Sequence, residues 1–133
     1  MGLHQLVYVS QITTDESVLN SIHSHAVRNN TARTVTGMLL FVQGRFLQVL
    51  EGDRKDVHHT FEKIKEDSRH DHVTLLLDKP IEERNFSHWN MGFKHLQESE
   101  VAENPRFQTY VTQDLQRCQD EPALALEMLR FYA

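Results

Sequence analysis

One cysteine in 133 residues, Cys118, leaves no partner for an internal disulfide and too few thiolates for a cysteine-based metal cluster. No apolar run approaches the roughly 20 residues that a membrane-spanning helix needs. The first residues lack the charged-then-apolar pattern of a signal peptide. There is no Lys/Arg run or basic stripe, and the formal net charge of -5 argues against a nucleic-acid binder. Only five glycines occur, and none of them forms a phosphate-binding loop, a dinucleotide-binding pattern or a nucleophile elbow. What remains is the composition of an ordinary globular chain, 39% hydrophobic and 25% charged, of a length that suits a single core. The expected class is a cytoplasmic globular protein with no membrane or direct nucleic-acid partner.

Within that composition the hydrophobic pattern is clear. HQLVYVS (4–10) alternates and is rich in strand formers, with Leu6, Tyr8 and Ser10 in one phase. Thr13 and Glu16 have the spacing of a capping box, and Val18, Leu19, Ile22 and Ala26 then recur at helical spacing toward residue 30. TGMLLFV (36–42) and RFLQVLE (45–51), separated by Gln43-Gly44, predict a hairpin. Asp53 is a good N-cap for a second helix with Val57, Phe61 and Ile64 on its apolar face. HVTLLLD (72–78) reads as a strand broken by Pro80, and HWNMGF (88–93) alternates again. The order β-α-β-β-α-β plus a fifth strand is that of an α+β, ferredoxin-like sandwich with helices on one sheet face. Residues 104–132, above all EPALALEMLRFY with Pro122 near a helix start, are the candidates to cover the other face. Glu98 to Pro105 is the expected linker, dividing the chain into 1–97 and a helical extension, 98–133.

The chemistry must come from side chains that break this pattern. Tyr8 and Gln48 are polar residues in apolar phases of two strands that are central neighbours in such a sandwich. A buried amide without partners is costly, and across the ladder between those neighbouring strands the two could meet. They could simply be a hydrogen-bonded core pair. Asn29 and Asn30, at the end of the first helix, could simply be helix-terminal residues. Together the four would surround the space between the helices with donors and acceptors, which suits a flat heterocycle. Ile22 and Ile64, on inward helix faces, are positioned as plain core or as a clamp on such a ring. Arg28, Arg33, Lys65 and Arg69 lie near the same helix ends, as surface charges or as phosphate contacts. Nine histidines invite a metal, but His23-x-His25 diverges on a helix. His58-His59 and His70-x-His72 have no carboxylates at ligand spacing, so no metal site is predicted.

Several segments, LVYVS, RNN followed by TG, GRFLQVLEG, EDSRH and RNFSHWNMGF, together resemble the blue-light-using-flavin (BLUF) photoreceptor domain over about residues 3 to 95. The resemblance implies a ferredoxin-like fold holding a flavin, usually FAD with FMN possible, noncovalently between the two helices. It implies Gln48 as the switch amide at the N5 and O4 edge, and Tyr8 as its hydroxyl partner and light-driven electron donor. By the same carry-over Asn30 bonds the O4 and N3 edge, and Asn29 falls where members carry His or Asn. Ile22 and Ile64 match the aliphatic clamp. Asp67, Arg69 and His70, close to Lys65, fall in the segment that meets the pyrimidine side. Trp89 and Met91 match the pair that passes the change outward. Ala26 departs from members that have Ser there, which bears on spectral tuning rather than on binding.

What the resemblance implies about function is a reversible, slightly red-shifted signalling state rather than catalytic turnover. With only about 37 residues after the sandwich, too few for a cyclase or phosphodiesterase module, output is expected through a noncovalently bound regulatory protein, with a homo-oligomer as the assembly. The competing readings are a flavin-dependent oxidoreductase and a cofactor-free ferredoxin-like interaction module.

Overall fold

Alternation of apolar residues with period two builds a five-stranded sheet from β1 (Leu3–Ile12), β2 (Thr36–Val42), β3 (Arg45–Asp53), β4 (His70–Ile81) and β5 (Gly92–His95). The computed structural model describes residues 2–13, 21–24, 27–28, 34–42, 44–86, 92–103, 107 and 122–132. The strand order is β4-β1-β3-β2-β5, antiparallel except for the parallel β2–β5 pair. Among the described residues the helices are α1 (Arg54–Glu66), α2 (Glu98–Ala102) and α3 (Pro122–Tyr132), and residues 21–24 and 27–28 are also helical.

β2 is buried along its whole length, and β3 as far as Gly52, because the sheet is covered on both sides. On the inner face Leu6, Tyr8, Leu39, Phe41, Phe46 and Leu50 pack with Ile22, Val57 and Phe61. On the outer face Val7, Val9, Met38, Leu40, Leu47 and Val49 pack with Ala125, Met128, Leu129 and Tyr132 of α3. Fully burying each such aliphatic or aromatic side chain contributes about 1.5–3 kcal/mol. The expected C-terminal cover is therefore present, and Phe107 joins it.

The hairpin forms as its sequence predicts, with Gly44 at φ +79°, a conformation that glycine adopts without steric cost. Asp53 caps α1, its side chain accepting from the Lys55 amide at 3.0 Å. Gly52 has a different reason. A Cβ there would lie 3.2 Å from the Thr34 carbonyl oxygen, which Arg84 holds at 2.9 Å, so a side chain would require that backbone to give way slightly.

Two expectations need correction, and one strand departs from regular alternation. Pro80 does not end its strand, because β4 continues to Ile81. It lies at the sheet edge, where the missing N–H breaks no inter-strand bond if it faces outward. The alternation of HVTLLLD is interrupted by a bulge: Val7 pairs with Leu77 but Tyr8 with Leu75, so Leu76 and Leu77 both pack on the outer cluster. The expected linker contains α2, whose Val101 is buried in the outer core and whose start is closed by a Gln97–Glu100 capping box.

Candidate functional site

The two central strands place Tyr8 and Gln48 directly opposite each other. Both point to the inner face, 0% and 3% exposed, and the Tyr8 hydroxyl donates to Gln48 Oε1. The bulge between Val7 and Tyr8 adjoins the pair, a common position for a device that re-aims a side chain. The Phe61 ring lies 5.3 Å from the Tyr8 ring, tilted by 52°. Burial pushes the phenol well above its ordinary range, and the negative charge of Asp67 adds to the effect.

That shift has a pH consequence for the flavin-free protein. The neutral phenol is favoured in the folded chain, while the unfolded chain ionises near pH 10. Tyr8 therefore stabilises the fold fully below about pH 10 and progressively less above it, by up to about 1.4 kcal/mol per pH unit. Urea unfolding across this range should show the decline, and Tyr8→Phe should flatten it. Parallel curves for the two proteins would contradict the assignment.

The inner face has aliphatic walls at both helical segments. Ile22 is 6% exposed, and Ile64 of α1 packs against the same cluster. Asp67 and Arg69 lie just beyond α1 and form a forked ion pair, with Arg69 Nε 3.0 and 3.1 Å from the two carboxylate oxygens and Nη2 2.6 Å from Oδ2. Arg69 Nη1 also donates to Ser21 Oγ at 3.2 Å, joining the start of β4 to the helical residues across the sheet face. The Asp67 carboxylate raises the Arg69 guanidinium above its ordinary range, chiefly through the hydrogen bond, with partial burial opposing it.

The structure brings Tyr8, Gln48, Ile22 and Ile64 onto one cluster, with Asp67 and Arg69 at the helix ends. Lys65 stays outside, half-exposed, 3.1 Å from Glu62 and 5.2 Å from the Phe61 ring centroid. Arg28 is exposed. Asn29, Asn30, Arg33, Trp89, Met91 and the side chain of His70 lie outside the described residues.

Two groups were missed from sequence. On the outer face Gln5 pairs directly with Glu51, and its Nε2 donates to Glu51 Oε2 at 2.8 Å. Glu51 Oε1 accepts from the Asn85 and Phe86 amides, both at 2.8 Å, Asn85 Nδ2 lies 3.4 Å from Oε2, and Arg130 of α3 donates to Asn85 Oδ1. Strand phase alone could have found this pair, since Gln5 alternates with Val7 and Val9, and Glu51 with Leu47 and Val49. The second group is His4, His58 and Asp78, whose contacts join β1 to the consecutive elements α1 and β4.

A family model described as sensors of blue-light using FAD (BLUF) matches residues 3–92. The chain belongs to the BLUF family. It is 38% identical over 92 residues to the photoactivated adenylate cyclase subunit beta of Euglena gracilis, covering 67% of this chain and 11% of that one. The chain thus spans about a tenth of the length of that curated relative. Among solved structures, BlsA in its photo-activated state superposes with a TM-score of 0.81 at 25% identity, covering 96% of this chain and 94% of that one. BlrP1 of Klebsiella pneumoniae with FMN and cyclic diGMP gives 0.68 at 30% identity, covering 90% and 34%. The BLUF residues present suit a flavin: uncharged polar groups, the Tyr8 phenol and the Gln48 amide, sit in the buried base, aliphatic walls flank them, and the charged pair is confined to the helix ends. Residues 3–92 are accordingly a BLUF domain, of the blue-light-sensing flavin type, and none of the described helices is long and apolar enough to cross a membrane.

Proposed function

We propose that this chain binds FAD noncovalently between its helical segments and works as a reversible switch in which Tyr8 and Gln48 carry the photochemistry. The observation behind this reading is the buried hydrogen bond from the Tyr8 hydroxyl to Gln48 Oε1. The bound flavin supplies absorption of blue light and an excited state that accepts an electron. Tyr8 would give that electron and its hydroxyl proton, held toward Gln48, would follow; both return to Tyr8 on recombination, so nothing is oxidised or reduced overall. The burial that keeps Tyr8 protonated in the dark leaves a phenol, not a phenolate, as the donor.

Gln48 is the element with two arrangements. An amide has an accepting oxygen and a donating nitrogen. With Oε1 engaged by the phenol, Nε2 faces away from Tyr8. Half a turn of the amide, or its tautomerisation, exchanges donor and acceptor on both sides. Ile22 and Ile64 hold the ring plane, Asn29, Asn30, Lys65, Asp67, Arg69 and His70 are read as its polar surround, and Trp89 and Met91 as the route outward. This is a population shift between two hydrogen-bonded states and not enzymatic turnover. The family description supports FAD, while FMN is present in the BlrP1 relative. Output then passes through residues 98–133 to a separate regulatory protein, with the chain itself assembled as a homo-oligomer.

The test is an absorption spectrum of the purified protein before and after blue light, followed through dark recovery. A flavin spectrum that moves slightly red and returns in darkness is the expected result. A flavin bleached by a substrate in the dark would replace this reading with an oxidoreductase. A preparation that stays colourless with added FAD would replace it with an interaction module.

A further inference from the structure

His4, His58 and Asp78 occupy the other end of the inner face from the Tyr8 hydroxyl chemistry and take no part in it. His4 stands on β1 in the phase of Leu6 and Tyr8, Asp78 on the edge strand β4, and His58 on α1. His4 Nε2 contacts Asp78 Oδ1, and His58 Nε2 lies 3.0 Å from that same oxygen. The two imidazoles meet edge-on, with centroids 5.3 Å apart. One ligand atom from each residue lies within 4.8 Å of the other two. His4 is buried, whereas the side chains of His58 and Asp78 are 38% and 31% exposed. The cluster is therefore closed at its base and open to solvent at its mouth.

A carboxylate has two oxygens, each able to accept two hydrogen bonds, so hydrogen bonding does not require both imidazoles to share one. Here both Nε2 atoms converge on one. Two imidazoles and a carboxylate are the protein ligands of a borderline-soft divalent cation with a coordination position left for water. Bonds of roughly 2.1 Å in tetrahedral geometry set ligand atoms about 3.4 Å apart. An outward movement of Asp78, whose side chain has solvent on one side, sets its oxygen at such a distance from both imidazoles, whose ligand atoms already lie within 4.8 Å of each other.

We propose that His4, His58 and Asp78 form a zinc(II) site that ties α1 to β1 and β4, with solvent completing the coordination. α1 also carries Phe61 and Ile64 of the Tyr8 cluster, so an occupied site would steady one wall of that cluster without touching its polar groups.

The experiment is zinc(II) titration of the tag-free, flavin-loaded protein in competition with a chromogenic chelator, with circular dichroism confirming the fold of each variant. One equivalent should bind and raise the thermal midpoint. His58→Ala and Asp78→Asn each remove a direct ligand and should weaken binding by at least the roughly 10–100-fold that loss of an outer-shell partner costs. His59→Ala, the exposed neighbour, should leave the affinity unchanged. His58 is partly exposed on a helix and Asp78→Asn keeps its shape, so both variants should fold. Absence of stoichiometric binding overturns the proposal. So does binding that survives both ligand substitutions, or that depends on His59 instead.

Discussion

Replacing Tyr8 with Phe is expected to leave a yellow, flavin-loaded protein that no longer forms the red-shifted state. The substitution keeps the ring that packs beside Phe61 and removes one oxygen atom. Its photochemical effect should be complete, because the electron and the proton assigned to Tyr8 have no other source at that position. Its structural effect should be small but measurable. Gln48 Oε1 loses a buried donor, and an unsatisfied group of this kind costs about 1–3 kcal/mol. Gln48→Leu should give the same spectral loss by a different route, removing the amide while keeping the phenol. Light-minus-dark spectra with bound-flavin quantitation decide the matter. A normal red shift and dark recovery in Tyr8→Phe would remove Tyr8 from the mechanism.

The largest effect on stability is expected on the opposite face. Glu51 is fully buried, and its carboxylate is the acceptor for the Gln5 amide and for the Asn85 and Phe86 backbone amides. Glu51→Ala leaves these donors facing a cavity. The cost should be about 3–4 kcal/mol, the range of a broken buried network, or on the order of a 10 °C fall in the midpoint for a domain of this size. Glu51→Gln retains the shape and one acceptor but turns an N–H₂ toward groups that donate, so a loss of about 1–2 kcal/mol is expected. Thermal and urea unfolding measure both. The flavin spectrum should not move in either variant, since the carboxylate lies on the other side of the sheet from Gln48. A Glu51→Ala protein as stable as the parent would mean that the network is not needed for the fold.

Strand periodicity made much of this legible. It put Tyr8 and Gln48 in apolar phases, which is why their meeting could be anticipated, and the helical spacing of Val57, Phe61 and Ile64 fixed the face of α1. The same reading stopped short at Glu51, because attention to one phase of β3 left the other unexamined. Pro80 misled because a residue without an N–H reads as a strand end, which an edge position suspends; the bulge beside the three leucines of β4 left no trace in the pattern. The residues 98–102 looked like a linker because they are polar, yet one buried side chain, Val101, is enough to hold a single helical turn against the core. His4 breaks the apolar phase of Leu6 and Tyr8, but its meeting with His58 and Asp78 carries no sequence signal, since it depends on how β1, β4 and α1 are packed.

The two polar pairs on opposite faces of β1 and β3 also guard against misfolding. Tyr8 meets Gln48, and Gln5 meets Glu51, three residues along the same ladder. A slip of one residue would invert both faces, presenting Gln48 and Glu51 to the wrong cores at once. A slip of two would keep the faces but leave Glu51 opposite Leu3 or Val7, and Tyr8 opposite Phe46 or Leu50. Each misaligned state buries a carboxylate away from its donors, at a cost of several kcal/mol. Two strands made almost wholly of interchangeable apolar residues would otherwise have close competitors. The side chains assigned to sensing light thus share with Gln5 and Glu51 the task of excluding every alignment but one.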